Sequence, residues 1–234
     1  MGIWMCDFDT RPVFAGIQKV LLRGTAEILE QDRHGIFLRD TISGGYMAAA
    51  DSTQSGIRYL TAHEDLHYTL LSICCDQALA DFAASRYRLT ERLDCCQAVY
   101  RSHTPPEFPS RLTIRPAAPE DLPWLTAHYD KLSPREISQI IRLHNLFLGE
   151  QDGTPVGFIG EHLEGSMGLL YILPAFRGLG YATELESYLI RRTLAQGFPP
   201  FCQVETGNRV SLALQKKLGL ELSREHVYWM WADD

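Results

Sequence analysis

A glycine-rich turn at the mouth of a helix constrains this chain more than any other feature. Residues 176–189 read FRGLGYATELESYL, in which Gly178 and Gly180 precede helically spaced apolar residues. The first N–H groups of a helix have no partner within it, and the helix dipole adds a partial positive charge there. Glycines let such a backbone curve toward a ligand without a Cβ in the way. The segment therefore predicts an anion site, to which Arg177 adds a full charge.

Three known phosphate-binding patterns contain such a turn, and two of them fit this sequence poorly. The P-loop needs a Lys after its last glycine, and none is present. The dinucleotide fingerprint gains support from Glu205, which ends the next predicted strand. However, Thr183 replaces its third glycine, and Pro174–Arg177 separate the strand from Gly178. Too little chain follows Glu205 to complete a doubly wound sheet. A glycine-rich helix entrance without a ligand remains the plain structural alternative.

The third pattern matches, and further motifs accompany it. Residues 177–182, RGLGYA, match R/Q-x-x-G-x-G/A, and they follow the strand and proline turn LLYILP at 169–174. Residues 208–220 read NRVSLALQKKLGL, similar to N-x-x-S-x-x-L-Y-x-K-L-G-F. Over residues 111–234 the chain resembles the GNAT superfamily of N-acetyltransferases. The resemblance implies an α+β fold, and acetyl-CoA or another acyl-CoA as co-substrate.

The resemblance also implies which residues hold CoA. The backbone from Gly178 to Thr183 would bind the pyrophosphate, and the pantetheine arm would lie along the strand at 170–172 as an additional strand. Asn208 would face the arm or serve only as a helix N-cap. The implied CoA-binding residues are Leu170, Tyr171, Ile172, Arg177, Gly178, Leu179, Gly180, Tyr181, Ala182, Thr183, Asn208 and Ser211.

The implied chemistry is direct attack of an amine on the thioester, with a strand N–H group holding the oxyanion. Glu161, His162 and Glu205 are the candidate bases, although residue type and position alone favour a plain surface role for each. Gln215 occupies the position of the family's tyrosine acid, as in the glycine N-acyltransferase-like branch. Water, Tyr171 or Tyr181 would then protonate the thiolate, or the thiolate would leave without assistance. A non-catalytic acyl-CoA sensor or scaffold is the alternative function.

The proline-rich stretch SHTPPEFPSR at 102–111 predicts a linker between two domains, 1–105 and 111–234. The second domain is predicted as β-α-α-β-β-α-β-α-β, with one helix over Pro134–Phe147. The first is strand-rich α/β and has no R-x-x-G-x-G loop. It is a candidate degenerate copy of the GNAT fold, which would either shape the acceptor cleft or only support the sheet.

Composition and local motifs argue against several other classes of protein. The net charge of −7 and the lack of a basic tract argue against nucleic acid. No apolar run approaches the roughly 20 residues that span a bilayer, and no signal peptide is recognisable. Adjacent cysteine pairs and the chain length favour free thiols in the cytoplasm. The sequence HEDLH at 63–67 matches the zinc motif H-E-x-x-H, but its charged Asp65 and missing third ligand favour a solvated helix start and no metal. We expect a monomer or homodimer.

Overall fold

A computed structural model describes residues 11–108 and 110–232 of the chain. These residues form two compact units. One comprises the chain up to Val99 together with the chain from Gln203 onward, and the other comprises Tyr100–Cys202. Met1, Gly2 and Cys6 lie outside the described residues.

The first unit is a mixed sheet with helices on both faces. Its strands follow the order β1-β2-β3-β4-β11-β5, in which β3 and β4 are parallel and the other pairs are antiparallel. The elements are α1 Ala15–Leu22, β1 Ala26–Asp32, β2 Gly35–Asp40, β3 Tyr46–Ala50, α2 Thr53–Ala62, β4 Leu70–Cys74, α3 Gln77–Tyr87, β5 Glu91–Val99, α7 Arg209–Lys217 and β11 Glu221–Trp231.

Strand alternation explains how this sheet is covered on both sides. Successive residues of β2 enter different clusters: Phe37 packs with Tyr59 and Leu71, whereas Ile36 packs with Val13. Neighbouring side chains on a strand point to opposite faces, so a strand buried on both faces is almost continuously apolar.

The second unit is a smaller sheet ordered β10-β9-β8-β7-β6. Ser133 and Glu136 form a capping box that starts α5, whose Ile137, Ile140 and Ile141 pack on the sheet. The elements are β6 Thr113–Pro116, α4 Leu122–His128, α5 Pro134–Arg142, β7 Leu146–Gln151, β8 Thr154–Glu161, β9 Met167–Ile172, α6 Tyr181–Ala195 and β10 Phe201–Glu205, which continues into the first unit.

Two features differ from the sequence predictions. The helix predicted over Pro134–Phe147 ends at Arg142, and the missed strand β7 follows it. The compact units also do not follow the linker, because β11 lies between β4 and β5 and joins the end of the chain to the first unit. Among the described residues, no helix is long and apolar enough to cross a membrane.

Candidate active site

The glycine turn has the backbone that the sequence predicted. A 3₁₀ turn at Pro174–Phe176 follows β9, and Gly178 and Gly180 adopt left-handed φ angles of +78° and +86°. Gly180 is the N-cap of α6, whose first helical bond runs from the Glu184 N–H to the Gly180 carbonyl, 3.2 Å apart. The loop is exposed, and a Cβ at Gly178 would meet nothing within 4 Å. The N–H groups of the first helical turn are therefore not used within the helix.

The side chain of Arg177 lies along the end of β9. Its Nε donates to the Ile172 carbonyl at 3.0 Å, and its Cζ lies 5.6 Å from the centre of the Tyr171 ring. The guanidinium is thus held beside the strand that leads into the glycine turn.

Strand β9 contains a bulge that the sequence did not reveal. Its register against β8 shifts between Phe158 and Gly160, and Leu169 within it has a φ of +51°. A left-handed non-glycine residue inside a strand is strained, and bulges of this kind redirect backbone groups near active sites. On its other side, β9 pairs in parallel with β10 through Met167 and Cys202.

Two of the candidate bases, Glu161 and His162, have different surroundings in the structure. The Glu161 side chain is buried, with the residue 5% exposed, and its Oε1 accepts a 3.0 Å hydrogen bond from Thr193 on α6. The His162 ring instead lies so close to Gly168 that a Cβ there would overlap it. Its ring nitrogens have no hydrogen-bond partner within residues 11–108 and 110–232. His162 is therefore the candidate that adjoins the bulge at Leu169.

The third candidate, Glu205, lies in the first unit at the end of β10. It lines an open cavity of about 390 Å³ together with Arg92, Leu93, Asp94, Thr206 and Gly207. Two salt bridges tie Arg92 to Asp81 and Asp94. This cavity is lined mainly by polar and charged groups.

Three further predicted residues have local partners. The Asn208 side chain accepts a hydrogen bond from the Ser211 N–H at 3.1 Å and caps α7. The Tyr181 hydroxyl donates to Gln151 at 2.7 Å and is buried, so it is poorly placed to protonate a thiolate.

The H-E-x-x-H match does not have the geometry of a zinc site. The predicted helix start at residues 63–67 is wrong: helix α2 ends at Ala62, so His63 and His67 follow the helix and are not one helical turn apart. His63 contacts Glu30, and Glu64 pairs with Arg86. No cluster of three or more His, Cys, Asp or Glu side chains suited to a metal occurs in the described part of the chain.

A match to a known family profile identifies the family of this chain. The sequence profile described as the acetyltransferase (GNAT) family matches residues 98–220, which is more than half of the 234 residues. The chain belongs to the GNAT acetyltransferase family. It is a GNAT-type acetyltransferase, and the family uses acetyl-CoA. Among curated proteins, none matches the sequence significantly.

Solved structures share the GNAT fold at low sequence identity. A Drosophila protein is 17% identical with a TM-score of 0.66, over 85% of this chain and 73% of that one. A putative GNAT acetyltransferase from Novosphingobium aromaticivorans is 15% identical with a TM-score of 0.58, over 96% and 97%. A GCN5-related N-acetyltransferase-like protein from Streptococcus suis is 16% identical with a TM-score of 0.56, over 98% and 94%. At these identities the likeness concerns the fold.

Gln215, at the position where the GNAT signature has a tyrosine, is buried in this acetyltransferase. It is 2% exposed, and its Oε1 has no hydrogen-bond partner among the described residues. A buried unpaired amide oxygen is costly, because it has lost its hydrogen bonds to water.

Two substitutions at Gln215 should have opposite effects on stability. We expect Gln215→Met to raise the free energy of unfolding by about 1 kcal/mol, because it removes an unsatisfied polar atom at similar volume. Gln215→Tyr should lower it by about 1–3 kcal/mol through overpacking. Urea denaturation of the two variants beside the wild type measures both. A less stable Gln215→Met variant would indicate that the amide makes a hydrogen bond in solution.

Sequence reasoning missed two residues beside the GNAT glycine turn. Glu184 lies in the first turn of α6 and is buried, and Arg111 contacts both Glu184 and the turn. The pair is 73 residues apart along the chain, so no local pattern links its members.

Proposed function

We propose that this GNAT enzyme moves an acyl group from the CoA thioester to an amine by direct attack. The observation that carries the proposal is the pair of left-handed glycines at the start of α6, directly after the bulged strand β9. Convergent N–H groups at a helix start suit a pyrophosphate. A strand backbone redirected by a bulge can present an N–H group to the thioester carbonyl and polarise it.

The proposed CoA subsites follow from this arrangement. The backbone from Gly178 to Thr183 binds the pyrophosphate, assisted by Arg177. The strand residues 170–172 hydrogen-bond the pantetheine arm, and Asn208 and Ser211 are proposed contacts from the start of α7. The open space around Gly178 supports the fit, because a phosphate reaches the backbone there without meeting a side chain.

We further propose that His162 is the general base. A bound thioester carbonyl would lie at the Leu169 bulge, where a backbone N–H stabilises the developing oxyanion. The His162 ring adjoins this point, and a neutral imidazole nitrogen accepts the proton that the amine loses. Glu161 is less suited because Thr193 holds its carboxylate in the interior. Glu205 remains a second candidate through a bridging water.

The chain lacks the tyrosine that protonates the departing thiolate in many family members, so another group would supply this proton. The Tyr171 ring stacks on Phe158 at the end of β9, with ring centres 5.6 Å apart. Tyr171 or solvent is our proposed proton source. The missing tyrosine also motivates the finer assignment to the glycine N-acyltransferase-like branch. It is the reason that a non-catalytic acyl-CoA sensor or scaffold is kept as the alternative function.

Binding and turnover test these proposals together. We expect the wild type to bind acetyl-CoA in calorimetry and to release thiol with at least one member of a panel of amines and amino acids. His162→Gln should lower turnover about 100-fold at unchanged CoA affinity, as for loss of a general base. His103→Gln, an exposed histidine in the linker, is the matched control. Binding without thiol release from any amine would favour the sensor, and an unaffected His162→Gln would transfer the role to Glu205.

The first half of the chain supports the proposal of an internal repeat. Its elements run β1-β2-β3-α2-β4-α3-β5, and the second half repeats this order as β7-β8-β9-α6-β10-α7-β11. In both series the second and third strands are antiparallel, and a helix leads from the third strand to a parallel fourth. Helix α2, however, starts at the capping residue Ser52, without a left-handed glycine. We propose that the first copy lost its phosphate loop.

The cellular setting remains a proposal as well. Cys74, Cys75, Cys95, Cys96 and Cys202 are free thiols, and burial raises the pKa of the Cys74 and Cys75 thiols. Such unreactive thiols suit a reducing compartment. We therefore place the enzyme in the cytoplasm, as a monomer or homodimer.

A further inference from the structure

The backbone of Arg111 is anchored under the glycine turn by a buried carboxylate. The side chain of Glu184 is 1% exposed, and its Oε1 accepts hydrogen bonds from the Arg111 and Leu112 N–H groups, each at 2.7 Å. A carboxylate that accepts two backbone N–H groups in the interior is held firmly, because losing either bond would leave a buried polar group unpaired.

The guanidinium of Arg111 is fixed against the turn itself. Its Nη1 donates to the Leu179 carbonyl at 2.8 Å, and its Cζ lies 4.8 Å from the centre of the Tyr181 ring. Its Nη2 lies 3.1 Å from the position that a Cβ at Gly180 would take. The lack of a side chain at Gly180 thus makes room for this cation as well as for a ligand.

The guanidinium of Arg111 keeps donors that are not used within the described part of the chain. Its side chain is 44% exposed, and Nη2 has no hydrogen-bond acceptor within residues 11–108 and 110–232. A guanidinium presents paired donors that match the oxygens of a phosphate. Arg177 lies along β9 instead, whereas Arg111 directly contacts Leu179 and Tyr181, the residues on either side of Gly180.

We propose that Arg111 is a further phosphate-binding residue for acyl-CoA, held in place by Glu184. The inference rests on the proposed function, because it assigns a second cation to the same pyrophosphate site. In a chain of net charge −7, an anion needs such local cations, and a pre-positioned Arg loses little side-chain freedom on binding.

Ligand truncation separates phosphate contact from a purely structural role. We expect Arg111→Gln to weaken CoA binding about 10–100-fold in calorimetry, the range for one charge-assisted hydrogen bond. Pantetheine, which has no phosphate, should compete with CoA at an unchanged inhibition constant. The CoA affinity of Arg111→Lys should lie between those of the wild type and Arg111→Gln, because lysine keeps the charge without the paired donors. Arg135→Gln, an exposed cation at the start of α5, should match the wild type.

The outcomes that overturn the inference are distinct from failure of the proposed function. Equal loss of CoA and pantetheine binding in Arg111→Gln would show that Arg111 only supports the fold of the turn, and unchanged CoA binding would show that it does not contact phosphate. If Arg111→Gln does not fold, the same comparison is made with Arg111→Lys. A wild type that binds no CoA would instead remove the proposed function itself.

Discussion

A fragment of residues 106–234 is expected not to fold cooperatively, although it contains most of the segment that matches the GNAT family. Strand β11 pairs with β4 through Val227–Trp231, and with β5 along most of its length. In the fragment both partners are missing, so the strand would expose two unpaired edges together with Val227, Trp229 and Met230, which are buried in the full chain. Burial of each such side chain contributes about 1.5–3 kcal/mol, a large share of the roughly 5–15 kcal/mol that holds a typical domain together.

Thermal denaturation followed by circular dichroism measures this directly. The full chain should show a single cooperative transition, and the fragment should show none. Co-expression with a second fragment of residues 1–105 is the control, because it returns β4 and β5, and we expect it to restore a soluble, cooperatively unfolding complex. A fragment that folded alone and bound CoA would mean that β11 contributes little to stability.

The linker shows why domain boundaries are hard to predict from local sequence. The prolines of the predicted linker indicate a break in periodicity, but they carry no information on which strands pair afterwards. The pairing of β11 with β4 joins residues more than 150 positions apart, as Val227 with Cys74. Such pairings depend on the whole sheet, whereas prolines and turns act locally.

The missed strand β7 illustrates a different limit. Leu146–Gln151 is apolar on both faces at its start, and a short continuous apolar run does not distinguish a buried strand from a helix end. His144, which has a left-handed φ of +55°, ends the helical segment and leads into the strand. A histidine gives a weaker stop signal than the glycine that follows α6.

The candidate site, too, could be predicted from the sequence only in part. The glycine turn was predictable, because its chemistry is written in consecutive residues that a helix start requires. The choice among the candidate bases Glu161, His162 and Glu205 could not be predicted. It depends on the residues that the fold brings near each of them, namely Thr193, Gly168 and the cavity residues respectively. The strained Leu169 was likewise invisible, because nothing in an apolar strand sequence marks where its register will slip.

Replacement of Gly180 by Val is expected to abolish measurable CoA binding. The left-handed φ of +86° disfavours any side chain by about 1–2 kcal/mol, and a β-branched one most of all. The new Cβ would also approach Arg111 Nη2 at 3.1 Å and displace the guanidinium. If the turn relaxes, several charge-assisted hydrogen bonds to phosphate are lost at about 1.5–3 kcal/mol each, which corresponds to an affinity about 1000-fold lower or more.

Gly197 provides a matched control at the other end of the same helix. It has a left-handed φ of +81°, and a Cβ there would meet nothing within 4 Å. Gly197→Val should therefore carry the same backbone strain and lower the melting temperature to a similar extent, while CoA affinity in calorimetry stays near that of the wild type. If both variants lost CoA binding equally, general destabilisation of α6 would explain the effect. If Gly180→Val bound CoA as tightly as the wild type, the phosphate would have to bind away from this turn, because no side chain at Gly180 leaves both the guanidinium and the converging N–H groups in place.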